Sequence, residues 1–380
     1  MNIELPISKS IANRLLVLQA IHGDGLLSVS DSMPDDVRIM SEATRLLGER
    51  REARIDLGNC GTAMRFLTAY CAQLEGQTTI LDGVERMHHR PIGQLVDALR
   101  EIGADIEYLG EEGFPPLRIK GKALDKSKPI TLNTPQSTQF VSALLLIGAN
   151  VQTDSTSPYI TLTREMIKNK EQGTKNKDKL LTTDQTQVTN LGSLVLAPYS
   201  EIERDWSSAA FWYEYVALHG GEITFPGLSR DSLQGDKIVA DIFAHLGVHT
   251  TYTAEGIILS PIADSEASYS PLSGRPIAAQ AASRFKILVQ DFGNCPDLYP
   301  AVALTCERLG VELHATGVES LPLKESDRLR AVAEHRTDAD HRMAMALLIA
   351  GYEVDDTACI SKSYPQFLEQ FHRINTLKLQ

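Results

Sequence analysis

The feature that most constrains this chain is a helix opening that recurs six times: a short polar stretch rich in Ser, Thr, Asn, Asp or Gly leads into an apolar run of roughly three helical turns. The six read PISKSIANRLLVLQAI, GNCGTAMRFLTAYCA, TPQSTQFVSALLLIGA, RDWSSAAFWYEYVAL, CPDLYPAVALTCERL and DADHRMAMALLIAG. Over residues 64–72, 141–149 and 343–350 apolar side chains occupy nearly every position rather than one stripe, so these helices belong inside a domain. A bilayer-spanning helix would need about 20 such residues. With Ser10, Thr62, Thr138, Ser207, Asp297 and Asp340 as markers, the intervals are 52, 76, 69, 90 and 43 residues, so the units are related without being copies. Between openings comes a second, amphipathic helix that ends in Gly and runs into an alternating strand, as in QLVDALREIGADIEYL and KIVADIFAHLGVHTTY. Each unit is therefore an α/β element with one buried and one exposed helix.

A chain of 380 residues with 43% hydrophobic and 23% charged residues is expected to form a soluble protein of two or three domains whose core needs neither metals nor disulfides. Cys60, Cys71, Cys295, Cys306 and Cys359 are dispersed, odd in number and without a CxxC pair, which reads as five free thiols in a reducing compartment. The start, MNIELPISKS, carries no basic stretch followed by an apolar core, and a cytoplasmic location is expected. A net charge of −12 argues against nucleic acid or an anionic membrane as partner, because both are held largely by Lys and Arg. Any anionic ligand must then be held by local clusters.

Two stretches break the pattern. Residues 168–190 are polar with almost no aliphatic content and read as a flexible surface loop. After KESDRLRAVAEH the expected Gly and strands are missing, and the chain runs directly through RTDADHRMAM. Either the unit is shortened, or residues between His335 and Arg336 are absent from the sequence as read. Sequence that keeps the pattern of the other units on both sides of a clean break favours the second. A true deletion is expected to remove a strand pair, expose core and misplace Arg342.

Each opening offers unpaired backbone N–H groups and the positive end of a helix dipole, a seat for phosphate or carboxylate. Lys9 and Arg14 flank the first helix, Arg65 sits in the second, and His341 with Arg342 opens the sixth. Any one of these is more simply an ordinary cap with a solvated cation; six of one design point to anion binding. Arg90 precedes a Pro at a helix start, where its guanidinium can grip a carboxylate or phosphate in bidentate fashion. Lys324, Glu325, Asp327 and Arg328 share one helical turn, where Lys beside Glu can hold that carboxyl near a bound anion as an acid and Arg328 adds a second cation. Asp297, in a Cys-Pro-Asp turn, is a plain cap or a base. His88 and His89 lack metal-ligand spacing, no HExxH occurs, and no zinc site is expected.

Taken in order, SKSIANR, DDVR, GNCGTAMR, RPIGQLVDALR, STQF, SLQGD, KESDR, DHRMAM and SKSYPQF resemble the 5-enolpyruvylshikimate-3-phosphate synthase family over nearly the whole chain. The resemblance implies an inverted α/β prism: two domains, each of three βαβαββ units with helices buried under sheets, the fifth unit shortened here. It places residues 1–8 with 205–380 in one domain and residues 9–204 in the other, with crossovers near 6–9 and 203–206, and helix N-termini of both facing a cleft that closes on substrate. It implies transfer of the enolpyruvyl group of phosphoenolpyruvate to the 5-hydroxyl of shikimate 3-phosphate through a tetrahedral intermediate, by a monomer that requires no metal or organic cofactor.

Carried over residue by residue, the resemblance assigns catalysis to Asp297 as base, Glu325 as acid and Lys9, which contacts both substrates. Shikimate 3-phosphate falls to Lys9, Ser10, Arg14, Ser137, Thr138, Gln139, Tyr159, Asp297 and Lys324, with Thr156 where the family usually has Ser and Ser320 where Asn is common. Phosphoenolpyruvate falls to Lys9, Asn59, Gly61, Arg90, Gln139, Arg328, Arg342 and Lys362. The alternatives are a UDP-N-acetylglucosamine enolpyruvyl transferase, which would not be expected to carry KESDR, and a non-catalytic anion-binding relative. A fold relative acting on RNA ends is disfavoured by the acidic balance.

Overall fold

All six anticipated helices form: Lys9–His22, Gly61–Ala72, Thr138–Leu146, Trp206–His219, Tyr299–Leu309 and His341–Ala350. They are buried because small and apolar residues cover every side. In Trp206–His219 every residue up to Leu218 is buried, and in His341–Ala350 only Leu348 is not. Burial of aromatic side chains such as Trp206, Phe211, Trp212 and Tyr215 contributes about 1.5–3 kcal/mol each. Their polar tips stay satisfied: Trp212 Nε1 donates to Tyr364 Oη at 3.1 Å and Tyr213 Oη meets Thr250 Oγ1 at 2.9 Å.

The computed structural model describes residues 1–23, 27, 29–30, 32–133, 136–177, 202–262 and 286–378. Contacts divide the chain into two units, Met1–Ser8 with Ser32–Pro34 and Glu203–Gln380, and Lys9–Asp31 with Asp35–Ile202. In the second unit, β1 (Glu52–Asp56), β2 (Thr78–Asp82), β3 (Asp105–Tyr108) and β4 (Leu117–Lys120) make a sheet of order β1-β2-β4-β3. β1 and β2 are parallel, with Glu52 opposite Thr78, and β4 runs antiparallel to both neighbours. A two-strand parallel pair, β5 (Ile130–Thr131) and β6 (Val151–Gln152), completes that unit's described strands.

In the first unit, β7 (Ile223–Pro226), β8 (Val248–Tyr252) and β9 (Gly256–Pro261) pair in the order β7-β9-β8, and Asn2 adds a parallel bridge at Thr224. This repeats the arrangement of a parallel pair followed by an antiparallel hairpin. β10 (Ile287–Asp291) and β11 (Glu312–Thr316) make only the parallel pair; among the described residues no antiparallel strand follows. Ile287 and Val289 are left 49% and 69% exposed. The points where the chain changes units are held by SLQGD: Gln234 Nε2 donates to Glu203 Oε2 at 2.9 Å and to the Arg204 carbonyl at 2.7 Å, while its Oε1 accepts from Ser8 Oγ at 2.8 Å.

One expectation is corrected. Residues 168–177 are not a loop: the helix Pro158–Lys177 continues through them, where Lys, Glu and Gln, all good helix formers, outnumber Asn169, Gly173, Thr174 and Asn176. Residues 178–190 lie outside the described residues. At the break after His335 the two flanking helices are joined by a short, ordered link. The helix Arg328–Glu334 ends in a left-handed His335 (φ 52°), Arg336 N–H returns to the Ala331 carbonyl at 2.9 Å, and Asp340 N–H reaches the Thr337 carbonyl at 2.9 Å before His341–Ala350 begins. The His335 ring stacks on Tyr352 at 4.1 Å and its Nε2 lies 2.9 Å from Glu307 Oε1. In this sequence the unit is short, and its link packs through side-chain contacts of its own.

This link carries three non-glycine residues at positive φ, His335, Asp338 (46°) and Ala339 (55°). Left-handed backbone costs an L-residue roughly 1–2 kcal/mol, and glycine offsets part of that gain by its own entropy. Ala339→Gly is therefore expected to stabilise the fold by about 0.5–1 kcal/mol. Gly310→Ala, at a helix C-cap with φ 70° and open space around the added Cβ, should destabilise by about 1 kcal/mol. Urea midpoints at unchanged m-values check both.

Candidate active site

In the first unit the chemistry gathers at helix starts. Asp297 lies in the 3-10 turn Pro296–Leu298 ahead of Tyr299–Leu309; Arg328 is the first residue of its helix and Arg342 the second of its own. Asp297 is not a cap. Its Oδ1 accepts from Arg328 Nη1 at 2.8 Å and Lys324 Nζ at 3.4 Å, and its Oδ2 accepts from Arg342 Nη2 at 2.8 Å. Glu325 sits beside it, Oε2 accepting from Arg328 Nη2 at 3.0 Å and Oε1 from Lys362 Nζ at 2.9 Å. Six predicted residues thus form one cluster, and the short link has not misplaced Arg342. Ser320 only heads the Leu321–Leu323 turn, where its side chain caps nothing.

Burial alone would raise the Asp297 carboxyl, but Arg342, Lys324 and Arg328 outweigh it and hold the group well below the usual carboxylate range. Its contribution to stability is therefore present above the unfolded carboxylate pKa and is lost as pH falls through the depressed folded value. Burial disfavours the Arg328 and Arg342 charges too, yet Asp340, Asp297 and Glu325 around Arg328, and Asp297 above all at Arg342, leave both arginines more firmly protonated than usual.

The second unit holds another cluster. Lys9 Nζ pairs with Asp36 Oδ2 at 3.0 Å. Arg14 is 2% exposed and is held without a carboxylate: Nε donates to Thr163 Oγ1 at 2.7 Å, Nη1 to the Ser10 carbonyl at 2.8 Å, and Nη2 to Ser142 Oγ at 3.3 Å and the Tyr159 carbonyl at 3.2 Å. Burial pushes its guanidinium down to about 10. Ser137 caps the helix that begins at Thr138, accepting from Gln139 N–H at 3.3 Å. Gln139 in turn accepts from Arg65 Nη1 at 3.0 Å and donates to Thr62 Oγ1 at 2.9 Å. Arg90 Nη1 donates to the Asn59 carbonyl at 3.3 Å. Thr156 is exposed, just ahead of Pro158–Lys177.

Three contributors are not singled out by the sequence. Asp36 belongs to DDVR and Asp236 to SLQGD, so motif membership is their available signal, and Asp340 reads as an ordinary cap; Arg65, a candidate anion-binding cation, is assigned to neither substrate. Asp236, buried and bonded to Ser207 Oγ, adds with Asp205 to the negative potential at Arg342. Cys60 is buried, with Sγ 3.9 Å from the Asp36 carbonyl, and none of the five cysteines is in a disulfide.

The comparisons agree on one family. The family model described as EPSP synthase (3-phosphoshikimate 1-carboxyvinyltransferase) matches residues 1–335 and 332–371. A 3-phosphoshikimate 1-carboxyvinyltransferase of Bacteroides fragilis strain YCH46 is 37% identical, covering 96% of this chain and 93% of its own. The enzyme of the same name from Paraburkholderia phytofirmans is 30% identical over 97% and 95%. The EPSP synthase structure from Acinetobacter baumannii overlays with a TM-score of 0.59 at 19% identity, covering 98% of this chain and 95% of that one. The fold is thus the α/β prism, and the protein is a transferase of that fold. The chain belongs to the EPSP synthase family, the 3-phosphoshikimate 1-carboxyvinyltransferases, and the comparisons do not support the UDP-N-acetylglucosamine alternative. Among the described residues no helix is long and apolar enough to cross a membrane.

Gly61 is the tightest point of the second cluster. A Cβ there would lie 2.5 Å from Arg90 Nη1 and 2.6 Å from Arg65 Nη1, and both arginines are buried. Gly61→Ala is expected to displace the two guanidiniums and weaken phosphoenolpyruvate binding by at least about tenfold, the worth of one good charge-assisted bond, with little change in melting temperature. Calorimetric titration with phosphoenolpyruvate measures it.

Proposed function

We propose that the two clusters carry the family reaction: Asp297 takes the proton of the shikimate 3-phosphate 5-hydroxyl as its oxygen attacks C2 of phosphoenolpyruvate, and Glu325 protonates C3. The resulting tetrahedral intermediate expels phosphate while C3 gives a proton back, restoring the enol ether. The observation that carries this reading is the pairing of two carboxylates with four cations, Lys324, Arg328, Arg342 and Lys362, in one cluster. A base must be ionised, and Asp297 is kept so; Glu325 is bonded to Arg328 and Lys362, and a bound anion that draws those cations to itself would favour the protonated form an acid needs. Polar groups around the oxocarbenium-like centre supply the electrostatic stabilisation that such a step requires.

Arg328, Arg342 and Lys362, with Lys9, Asn59, Gly61, Arg90 and Gln139, are the proposed phosphoenolpyruvate ligands. Lys9, Ser10, Arg14, Ser137, Thr138, Gln139, Thr156, Tyr159, Ser320, Lys324 and Asp297 are those proposed for shikimate 3-phosphate. Arg14 suits an anion because its buried charge meets only neutral partners among the described residues.

Phosphate release measured with each substrate alone and with both tests the function. Release should require both, and Asp297→Ala and Glu325→Ala should each lower kcat by about 10²–10⁴-fold. A well-folded chain that releases no phosphate with both substrates overturns the reading. Lys324→Met, which removes one of the three cations on Asp297, should move the acid limb of the kcat/KM profile to higher pH; an unmoved limb would show that Asp297 is not the group titrating there.

A further inference from the structure

We propose that Asp340 is a positioning residue of this site: one buried carboxylate anchors both arginines that clamp Asp297. Asp340 is fully buried. Its Oδ2 accepts from Arg328 Nε at 2.8 Å and from Ser326 Oγ at 3.1 Å. Its Oδ1 accepts from the Arg342 backbone N–H at 2.9 Å, lies 3.4 Å from Arg328 Nη2, and is 3.7 Å from His341 Nδ1.

The consequence follows from the planarity of guanidinium. With Nε fixed on Asp340, the directions of the other two nitrogens are fixed as well. Nη1 is aimed at Asp297 Oδ1 at 2.8 Å and Nη2 at Glu325 Oε2 at 3.0 Å, so the same bond indexes both carboxylates to one frame. The second arginine is indexed through the backbone. The bond from Arg342 N–H to Asp340 fixes the first turn of His341–Ala350, and from that turn Arg342 Nη2 reaches the other oxygen of Asp297 at 2.8 Å. Each oxygen of Asp297 therefore meets an arginine whose placement depends on Asp340. An ordinary helix cap would need only the backbone bond; the Nε contact and the Ser326 bond add nothing to capping. The short link delivers this residue, since Asp340 follows directly on the left-handed Asp338 and Ala339.

The proposal rests on Asp297 and Glu325 acting as base and acid. D340N keeps an oxygen for the Arg342 N–H and removes the charge facing Arg328; D340S keeps a cap but cannot reach Arg328. Both variants should remain folded by near-ultraviolet circular dichroism. Both should lose about 10–100-fold in kcat, the usual size when a group that orients a functional side chain is lost, with KM for shikimate 3-phosphate changed less than about threefold. The acid limb of kcat/KM should move to higher pH, because Asp297 loses a well-held cation. A folded variant with wild-type kcat, or with reduced kcat and an unmoved pH profile, overturns the proposal. Should neither variant fold, Ser326→Ala is expected to shift the same limb in the same direction by a smaller amount, and no shift overturns it. A wild-type chain without turnover sinks the base and acid reading separately. Calorimetric titration with phosphoenolpyruvate then judges the anchoring alone: binding by D340N at least about tenfold weaker than wild type supports it, and equal binding overturns it.

Discussion

A helix enclosed by apolar neighbours can show polarity only at its ends, and this constraint organises the protein. The first turn of each buried helix has N–H groups without intrahelical partners, so a polar group must come to them or the burial costs more than it gains. Ser137, Asp205 and Asp340 are such groups, each accepting a backbone N–H at its helix start. Arg14, Arg65 and Arg342 stand near the same ends, where the helix dipole disfavours a cation. A chain selected for stability alone would place acids there. Local choices that oppose the electrostatics of their own helix mark functional positions, and here they coincide with the buried ends.

The helices were legible because the apolar residues at 64–72, 141–149 and 343–350 fill every face, a pattern with one structural solution. The partners at the site were less so. Lys9 and Asp36 are neighbours in the folded unit, and Arg14 meets Thr163 across 149 residues of sequence; periodicity carries no information about such pairs. Asp297 could be read as cap or base from its turn, and only the three cations around it decide the matter. The helix through residues 168–177 was hidden because composition, not propensity, guided the reading of a polar run.

The shortened unit shows which layers of the fold the site depends on. The missing antiparallel pair would lie in the sheet layer, outside the buried helices. The parallel pair β10 and β11 remains, and the helices on either side of residues 335–340 keep their starts, because Thr337 is buried and bonded to Asp355 while His335 packs on Tyr352. Ile287 and Val289 of β10 are exposed, while the Asp297 cluster keeps its ion pairs.

Arg328 and Arg14 solve the problem of a buried cation in opposite ways. Desolvating a charge costs several kcal/mol unless a partner offsets it. In the first unit Asp297, Glu325 and Asp340 are those partners for Arg328, Arg342 and Lys362, so the cations are stable before any ligand arrives. An incoming anion there must compete with carboxylates already in place, and the gain it brings is correspondingly reduced. In the second unit Arg14 meets hydroxyls, carbonyls and the Phe66 ring, with no carboxylate bonded to it among the described residues, and burial already draws its guanidinium down to about 10. Its unbalanced charge makes an anion more valuable at that position than at Arg342. An anion meeting Arg14 would spend none of its gain displacing a bonded carboxylate, whereas one meeting Arg342 would compete with Asp297.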